Sequence, residues 1–252
     1  MIRNNNPNVI IVMPAYNAAK TLKRTYDEIP IKYRKKIILV DDCSSDNTVD
    51  IARELGIEVI CHTKNQGYGG NQKTCYFQAL KEGADIVVMV HPDHQYDANV
   101  IPHLIQPLMN RDVDAAFGSR MLGGRPMEGG MPRYKYIANV LLTAFANIVF
   151  QRYLTEIHSG FRAYTRKYLE TVRYEENSNN FVFDTEIIAQ GMACNLFFIE
   201  IPISTRYFED ASSIDFFHSL LYGFSILAVL LRYLLHRLNI IHFRQFLPVK
   251  DT

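Results

Sequence analysis

Three polar clusters that could bind a ligand follow short apolar runs in the first half of the chain. Residues 14–17 (Pro-Ala-Tyr-Asn) follow the first run, residues 41–46 (Asp-Asp-Cys-Ser-Ser-Asp) the second, and residues 91–95 (His-Pro-Asp-His-Gln) a later one. Carboxylates in such loops suit hydrogen bonds to a nucleoside and coordination of a hard cation by oxygen. Each cluster alone could be a solvated loop whose Asp and Ser residues cap the next helix. The presence of three such clusters favours a binding site over three unrelated solvated loops.

The elements around these clusters are expected to bring them together. Because short apolar runs alternate with helical segments, we predict an α/β fold with a mainly parallel, Rossmann-like sheet flanked by helices. Ligands bind outside the carboxyl ends of the strands in such a sheet, and the three clusters fall at those ends. The predicted strands are residues 9–13, 37–40, 57–61, 85–90 and 113–117, and the predicted helices are residues 18–28, 48–55, 70–82 and 99–110.

A glycine-rich segment, residues 65–70 (Asn-Gln-Gly-Tyr-Gly-Gly), opens one of the predicted helices. It does not match the GxGxxG fingerprint of dinucleotide-binding proteins, because Gln72 stands where the last glycine belongs. It also follows the third strand, whereas that fingerprint follows the first. NAD binding is therefore disfavoured, although such a turn could still approach a phosphate or a sugar closely.

Charge and cysteine content exclude other classes of protein. The 252 residues include 27 basic and 26 acidic ones, a formal net charge of +1, which argues against nucleic acid as a partner. The four cysteines lack CxxC spacing, so no structural zinc site is expected and the thiols are expected to be reduced. Residues 1–8 do not resemble a secretory signal. We therefore expect the protein in the cytoplasm or on a membrane face that looks into it.

The second half contains two apolar segments without charged residues. Between Lys135 and Arg152, polar residues recur at every fourth position, which predicts a helix with a narrow polar stripe and a wide apolar face. Residues 216–231 form the second segment, whose 16 residues fall short of the ~20 that span a bilayer. Both segments could be core helices of a soluble enzyme, or amphipathic helices that lie in a membrane interface.

Several motifs occur in order along residues 9–213. These are residues 12–17, the loop DDxSxDxT at residues 41–48, the Asn-x-Gly turn at residues 65–67, Gly-Ser-Arg at residues 118–120, Ser-Gly-Phe-Arg at residues 159–162, Phe-Asp-Thr-Glu at residues 183–186, and a closing segment from residue 201 to Arg206. In these motifs and their order the chain resembles the family 2 glycosyltransferases with the GT-A fold, in which DDxSxDxT is the nucleotide loop. The resemblance is to the branch that includes polyprenyl-phosphate mannosyl- and glucosyltransferases, and it is specific because several motifs agree.

Two positions depart from the family pattern. Alanines 18–19 stand where acidic residues usually follow Tyr-Asn, and the metal motif Asp-x-Asp-x-Gln reads His-Pro-Asp-His-Gln at residues 91–95. The resemblance implies a divalent metal, Mn or Mg, held by Asp93 and Gln95, with His91 as a further candidate ligand. An imidazole ligand would shift the preference towards Mn or another transition metal. His91 could instead contact the ribose or a phosphate.

The resemblance implies an inverting transferase that moves a hexose from a nucleoside diphosphate sugar to a polyprenyl phosphate. One alternative is the same fold acting on a saccharide hydroxyl in surface polysaccharide synthesis. Another, suggested by the two departures, is a non-catalytic protein that binds sugar nucleotides. A lipid phosphate is largely ionised at neutral pH and needs no base, whereas a sugar hydroxyl needs one. The expected location is peripheral or monotopic, on the cytoplasmic face of a membrane.

The resemblance also implies roles for single residues. Asp184 or Glu186 would be the general base for a hydroxyl acceptor, or else structural partners of nearby arginines, and Arg206 would contact the diphosphate. The implied catalytic residues are Asp93, Arg120, Arg206, Asp184 and Glu186. The implied donor-binding residues are Pro14, Tyr16, Asn17, Asp41, Asp42, Asn65, Gly67, His91 and Asp93. The acceptor phosphate would be bound by Arg120, Arg133, Ser212 and Ser213, with Arg133 alternatively a membrane-interface anchor.

The expected organisation is a GT-A domain followed by a helical segment. Residues 1–213 would form the transferase domain and include the interface helix near residues 136–154. Residues 214–252 would form a C-terminal amphipathic helical segment.

Overall fold

The computed structural model describes residues 7–122, 126–207 and 216–249. A seven-stranded sheet has the strand order β3-β2-β1-β4-β6-β5-β7. Its strands are β1 (Val9–Ala15), β2 (Ile37–Asp41), β3 (Glu58–Cys61), β4 (Ile86–Met89), β5 (Ala115–Ser119), β6 (Arg162–Thr165) and β7 (Phe198–Pro202).

Helices cover both sides of this sheet. In the described part of the chain they are α1 (Leu22–Glu28), α2 (Thr48–Glu54), α3 (Tyr68–Lys81), α4 (Ile101–Met109), α5 (Arg133–Phe150), α6 (Arg166–Thr171), α7 (Phe183–Ala193) and α8 (Phe216–Arg237). Short 3-10 helices lie at Ile31–Tyr33, Ala98–Val100, Tyr174–Glu176 and Arg244–Phe246.

The central strands are buried on both faces, because each face of the sheet has its own apolar core. Ile10 and Val12 of β1 pack on one side, with residues of α3, α5, α7 and α8. Ile11 and Met13 pack on the other side, with residues of α1 and α4. Successive side chains of a strand point to opposite faces, so a strand covered on both sides is a continuous apolar run. The predicted α/β fold with a mainly parallel sheet is thus confirmed.

Two strands were not predicted, and one of them is antiparallel. β6 pairs antiparallel with both β4 and β5, where Met89 and Phe117 are each opposite Arg162. Its sequence, Arg-Ala-Tyr-Thr, does not look like a buried strand, since it begins with an arginine that is 1% exposed. Because β6 runs in the opposite direction, its first residue lies at the edge where its neighbours end. Residues 156–160 therefore join the loops that follow β1, β2, β4 and β5.

The C-terminal apolar helix is longer than the sequence indicated. α8 has 22 residues rather than 16, because Arg232 does not end it: the Arg232 guanidinium binds Glu186 (3.0 Å) and Gln245 (3.1 Å). Residues Ser219–Arg237 of α8 are long and apolar enough to cross a membrane, by length and composition only, with a mean hydropathy of 1.5. The inner face of α8, however, is fully buried in the core shared with the sheet.

Candidate functional site

Two adjoining cavities lie at the edge of the sheet where β1, β2, β4 and β5 end. The β1–β2 cavity, of about 450 Å³, is lined mainly by residues that follow those two strands. The α5–α8 cavity, of about 240 Å³, is lined by residues of the two apolar helices and of the loops after β4 and β5. Both cavities share the side chains of Tyr68, His91, Asp93 and Phe181 in their walls. A ligand in one cavity would therefore meet a ligand in the other at these residues.

The β1–β2 cavity collects most of the residues implied to bind a donor. Asp41 is the exception: its carboxylate is buried, and one oxygen accepts a hydrogen bond from the Ser44 N–H (3.0 Å). Its other oxygen, Oδ1, has no hydrogen-bond partner in the described part of the chain. The residues that do line the cavity are Pro14, Tyr16, Asn17, Asp42, Asn65, Gly67, His91 and Asp93.

The loops after β1 and β2 are held together by hydrogen bonds, two of which are donated by the backbone of the alanines in the first loop. The Ala18 N–H donates to Thr48 Oγ1 (2.7 Å), and the Ala19 N–H donates to Asp46 Oδ2 (3.0 Å). The Asn17 side-chain oxygen accepts from the Ser45 N–H (2.9 Å). Burial alone would raise the pKa of Asp46, but hydrogen bonds from Thr48 and Ala19 outweigh it and lower the pKa. This loop therefore uses backbone amides and an ionised Asp46 to keep its shape.

The Asp42 carboxylate holds the glycine-rich turn in place. It accepts hydrogen bonds from the Gln66 N–H (2.7 Å) and the Gly67 N–H (2.9 Å). His62 Nδ1 lies 2.7 Å from the same carboxylate. With both oxygens engaged, Asp42 shapes the wall of the β1–β2 cavity through this turn.

The glycines of this turn make room for the protein's own backbone. Gly67 has φ +82, and a Cβ there would lie 2.7 Å from the Asn179 carbonyl oxygen. A Cβ on Gly69 would lie 2.3 Å from the Ser178 carbonyl oxygen. The Gly69 N–H also donates to the Asn179 carbonyl (2.8 Å). The close approach that the glycines permit is thus to residues 178–179, which precede Phe181 of the cavity wall.

Replacing Gly69 with alanine is therefore expected to destabilise the protein by about 1–3 kcal/mol, because the added methyl group overpacks against backbone. Gly223 in α8 is a matched control, since a Cβ there would make only an ordinary contact with Leu142 (3.9 Å). Gly223→Ala should stabilise the protein by up to about 1 kcal/mol, through helix propensity. Thermal unfolding of Gly69→Ala and Gly223→Ala tests these two expectations. Equal melting temperatures of the two variants would contradict the predicted backbone clash at Gly69.

The α5–α8 cavity combines charged and apolar walls. Its apolar walls include Met131, Ala138 and Leu142. Lys135 is half-buried there, and burial, followed by the nearby Arg120 charge, lowers its pKa. Besides Ser219 and four tyrosines, the charged or polar side chains that line this cavity are His91, Asp93, Gln95, Arg120, Lys135, Asn139, His158 and Asp184.

Arg120 is bound to a buried carboxylate, that of Glu156. Its backbone N–H donates to Glu156 Oε2 and its Nε–H to Glu156 Oε1, both at 2.7 Å, and a second guanidinium nitrogen also binds Oε1. The remaining guanidinium nitrogen donates to the Tyr207 hydroxyl (2.8 Å). Burial, the largest single effect, would lower the pKa of Arg120, but the charge and hydrogen bonding of Glu156, together with Tyr96 and Tyr207, outweigh it and raise the pKa. Burial would likewise raise the pKa of Glu156, which Arg120 lowers. Both groups are therefore charged at neutral pH.

The two acidic residues considered as a general base are both engaged. Asp184 is buried and accepts from the Tyr68 hydroxyl (2.7 Å) and the Gln72 side-chain amide (3.2 Å). Glu186 is outside both cavities, where its carboxylate accepts from the Ser178 N–H (2.6 Å) and the Arg232 guanidinium (3.0 Å). Asp184 thus lies at the α5–α8 cavity but is held by hydrogen bonds, and Glu186 is a structural partner of Arg232.

Two further residues implied to bind phosphate, Arg206 and Arg133, do not line either cavity. Arg206 donates to Glu28 at the end of α1 (2.9 Å) and lies 3.1 Å from His94 Nε2. Arg133 is exposed at the start of α5 and lines neither cavity. Ser212 and Ser213 lie outside the described residues.

The residues present fit a cation that is bound together with a phosphate ligand. The described residues contain no group of three or more His, Cys, Asp and Glu side chains that could hold a metal by themselves. Asp93 and Gln95 supply oxygen donors at the α5–α8 cavity, and the Gln95 N–H donates to Asp93 Oδ1 (3.0 Å). Mg²⁺ is commonly held in this way, by one or two protein oxygens, water and substrate phosphates. His91 is less suited, because its Nε2 lies 3.3 Å from the Tyr68 hydroxyl.

Sequence reasoning missed several residues of this site. Glu156 could have been suspected from its place just before the Ser-Gly-Phe-Arg motif, but no pattern paired it with Arg120. In the sequence, Lys135 marks only the start of a segment without charged residues, so no role in the site was predicted for it. Tyr68 has the side chain that connects Asp184 to His91, and nothing in the glycine-rich turn pointed to it.

The chain is similar to known proteins over most of its length. Residues 10–173 match the family described as Glycosyl transferase family 2. The UDP-N-acetylglucosamine–dolichyl-phosphate N-acetylglucosaminyltransferase of Methanococcus voltae is 28% identical over 218 residues, which cover 80% of this chain and 86% of that protein. The dolichyl-phosphate hexose transferase of Haloferax volcanii is 26% identical over 207 residues, which cover 81% and 86%.

The fold is also found in solved structures. Glucosyl-3-phosphoglycerate synthase from Mycobacterium tuberculosis, crystallised with Mn²⁺ and UDP-glucose, aligns with a TM-score of 0.69. The alignment covers 90% of this chain and 79% of that chain, at 17% identity. The structure of the same enzyme with Mg²⁺ and UDP aligns with a TM-score of 0.70 at 16% identity, over 90% and 79% of the two chains. At this level of identity the likeness establishes the shared fold, which is the GT-A fold that the motifs implied.

Proposed function

The chain belongs to glycosyl transferase family 2, and on that premise we propose that it transfers a hexose from a nucleoside diphosphate sugar to a polyprenyl phosphate, with inversion, at a membrane surface. Relatives whose names state dolichyl phosphate as a substrate support this acceptor. The fold relative crystallised with UDP-glucose supports the class of donor.

The observation that carries the proposal is the α5–α8 cavity. It places Arg120 and Lys135 beside apolar side chains of two helices whose outer faces are apolar and exposed. On those outer faces, Leu141, Ile148, Phe224 and Leu231 are 57–74% exposed. An isoprenoid phosphate needs this combination, because its headgroup binds cations and its tail must stay in an apolar environment.

The engaged carboxylates of this cavity favour a phosphate acceptor over a sugar hydroxyl. A hydroxyl has to lose its proton to a base during the reaction, and Asp184 already accepts two hydrogen bonds. A phosphate monoester has a second pKa near ~6 and is largely ionised at neutral pH. Its oxygen can attack the anomeric carbon directly, forming the new carbon–oxygen bond while the bond to the diphosphate breaks.

The two cavities suit a single displacement. In our proposal the nucleotide of the donor lies in the β1–β2 cavity, where Tyr16 is exposed and could stack on a base. The acceptor phosphate lies in the α5–α8 cavity, and the anomeric carbon lies between them near Asp93. Inversion follows, because the attacking oxygen approaches from the side opposite to the leaving diphosphate.

Asp93 and Gln95 would hold a divalent cation, Mn²⁺ or Mg²⁺, together with the donor diphosphate. When bound, such a cation acts as a Lewis acid that stabilises negative charge on the leaving group. The chain's own part is to keep the oxygen ligands in place, and the Gln95 backbone N–H does this for Asp93 by donating a hydrogen bond to Oδ1 (3.0 Å).

We also propose that α5 and α8 lie in the membrane interface on the cytoplasmic face, with residues 1–213 as the transferase domain and residues 214–252 completing its acceptor side. The exposed apolar face supports this arrangement, since such large apolar patches mark protein or membrane contacts. Oligomeric state is not part of the proposal.

The direct test is a transfer assay with purified full-length protein, Mn²⁺ or Mg²⁺, a polyprenyl phosphate and a panel of labelled nucleotide sugars. We expect label to move into the organic phase with one donor, and only when a divalent cation is present. Transfer to a saccharide but not to the lipid would overturn the proposal that the acceptor is a polyprenyl phosphate. Failure of every nucleotide sugar to bind would overturn the donor class.

The proposed membrane face makes a separate prediction. The double variant Leu141→Glu, Phe224→Glu should bind vesicles of phosphatidylcholine and phosphatidylglycerol at least about tenfold more weakly, because two exposed apolar contacts are replaced by anions. Ile31→Glu is the control, since Ile31 is 80% exposed but lies in the 3-10 helix after α1. Vesicle co-sedimentation measures both. Equal loss of binding in the control would contradict the assignment of the face.

A further inference from the structure

His158 contributes an unused hydrogen-bonding group to the α5–α8 cavity. It lies just before the Ser-Gly-Phe-Arg motif that leads into β6, and its side chain lines the cavity. Its ring packs edge-on against Tyr222 of α8, with the ring centroids 5.9 Å apart. Nδ1 lies 3.3 Å from the Tyr222 hydroxyl. Nε2 is buried and has no hydrogen-bond partner among the residues that the structure describes.

The surroundings of His158 decide its protonation. Burial lowers its pKa to about 4, despite the nearby charge of Glu156, so the imidazole is neutral at pH 7. A neutral imidazole has one N–H donor and one acceptor nitrogen. The contact between Nδ1 and the Tyr222 hydroxyl can form in either direction, and when the hydroxyl donates to Nδ1 the ring proton is on Nε2. His158, a residue that lines the cavity, then carries a buried neutral N–H donor, and a buried donor of this kind is normally satisfied by a partner.

The neighbouring groups indicate which partner this is. Arg120 is already neutralised by Glu156, whereas Lys135 forms no ion pair within the described residues. Among the residues that the structure describes, Lys135 and the His158 Nε2–H are thus two donors of residues lining one cavity for which no protein acceptor is found. Asp184 is satisfied by its own donors. A ligand that accepts hydrogen bonds and carries negative charge matches this arrangement, and a phosphate group has both properties.

We propose that the Nε2–H of His158 donates a hydrogen bond to a non-reacting oxygen of the acceptor phosphate, next to Lys135, and that Tyr222 is a positioning residue that selects this tautomer. The inference rests on the proposed function, because it takes the acceptor to be a lipid phosphate. It assigns recognition of that phosphate to Lys135 and His158, since Arg120 is held by Glu156. It also links α8 to acceptor binding through Tyr222.

Matched substitutions of His158 separate its two nitrogens. Glutamine has an amide N–H near the position of Nε2, whereas the amide of asparagine lies near that of Nδ1. We expect His158→Asn to raise the KM for farnesyl phosphate about tenfold, as lost hydrogen bonds to charged groups do, and to leave the KM for the nucleotide sugar unchanged. His158→Gln should remain within about threefold of the wild type, because it retains the donor. Equal KM values for Asn and Gln variants would overturn the proposal.

Nitrogen NMR of the histidine side chains gives a readout that a purely structural role would not change. The His158 signals, assigned by their loss in His158→Gln, should show the Nε2–H tautomer in the free wild type. They should shift on addition of farnesyl phosphate but not of farnesol. Tyr222→Phe, which keeps the ring and removes the hydroxyl, should give a mixture of tautomers and an acceptor KM raised about threefold.

The outcomes separate the inference from the function on which it rests. If farnesyl phosphate is a substrate but the His158 signals do not move, the inference is overturned and the proposed function stands. If inorganic phosphate moves them equally at the same concentration, the assignment to a lipid acceptor is overturned. If farnesyl phosphate neither binds nor accepts sugar, the proposed function fails, and the inference fails with it.

Discussion

Replacing Asp93 with asparagine is expected to lower the rate of sugar transfer by about 10²- to 10³-fold, the loss that corresponds to roughly 3–4 kcal/mol of transition-state stabilisation. Asparagine keeps the shape of the side chain and the oxygen that accepts the Gln95 N–H. It removes the negative charge that, in our proposal, holds a divalent cation at the wall between the two cavities. Initial rates with saturating donor and acceptor measure the effect.

A second readout distinguishes loss of the cation from loss of the fold. Binding of the nucleoside diphosphate of the donor that the transfer assay identifies should be strengthened by Mn²⁺ in the wild type and should no longer depend on Mn²⁺ in Asp93→Asn. Asp97→Asn is the control, because Asp97 lies in the same loop and only caps the 3-10 helix at Ala98–Val100. Transfer by Asp93→Asn at the rate of this control would rule out the assigned role.

Replacing Glu156 with glutamine is expected to lower the free energy of unfolding by about 3–5 kcal/mol, because it leaves the buried Arg120 guanidinium without a counter-charge. The Arg120 side chain is 11% exposed and that of Glu156 is fully buried, so water cannot replace the lost carboxylate. For a chain of this length the melting temperature should fall by roughly 10 °C. Thermal unfolding followed by circular dichroism measures it.

Glu170→Gln is the matched control, since it removes the carboxylate of an exposed Arg–Glu pair on α6 (2.8 Å to Arg166). Such exposed pairs contribute within ~0.5 kcal/mol, so this variant should unfold almost like the wild type. Similar losses in both variants would contradict a special role for the buried pair.

The same pair predicts a dependence on pH. Arg120 holds the pKa of Glu156 below its usual range despite burial. A carboxylate whose pKa is lower in the folded state stabilises that state above its unfolded pKa, about 4.3, and loses the contribution as the pH falls through its folded pKa. The difference in melting temperature between the wild type and Glu156→Gln should therefore be constant near neutral pH and shrink below about pH 4. A difference that persists unchanged into acid would contradict the ion pair.

Most of the site that was predicted correctly consists of residues in loops that directly follow strands. The β1–β2 cavity could be foreseen because each of its loops directly follows a strand, and parallel strands end at one edge of the sheet. Eight of the nine residues implied to bind a donor line this cavity. Asp41 could not be told from Asp42 by position, because both end the same strand. Only the hydrogen bonds show that Asp42 holds the turn at Gln66 and Gly67.

The acceptor side was harder to foresee, since its groups come from distant parts of the chain. Glu156 pairs with Arg120 from 36 residues away, and Tyr222 meets His158 from 64 residues away. Neither the periodicity of apolar residues nor the spacing of a sequence motif indicates contacts between such distant residues. Conversely, Arg206 was expected at the diphosphate from its order in the family motifs, and the structure places it beside Glu28.

Sequence alone determined the elements that depend on local patterns: the five apolar strands, the helices between them, and the polar loops at the strand ends. These follow from side-chain periodicity and backbone preference, which act within a few residues. Tertiary structure alone decided the antiparallel β6, the burial of Arg120 with Glu156, and the packing of α8 over the second cavity. Those features depend on which distant groups can neutralise a buried charge or cover an apolar face, and only the folded chain brings such groups into contact.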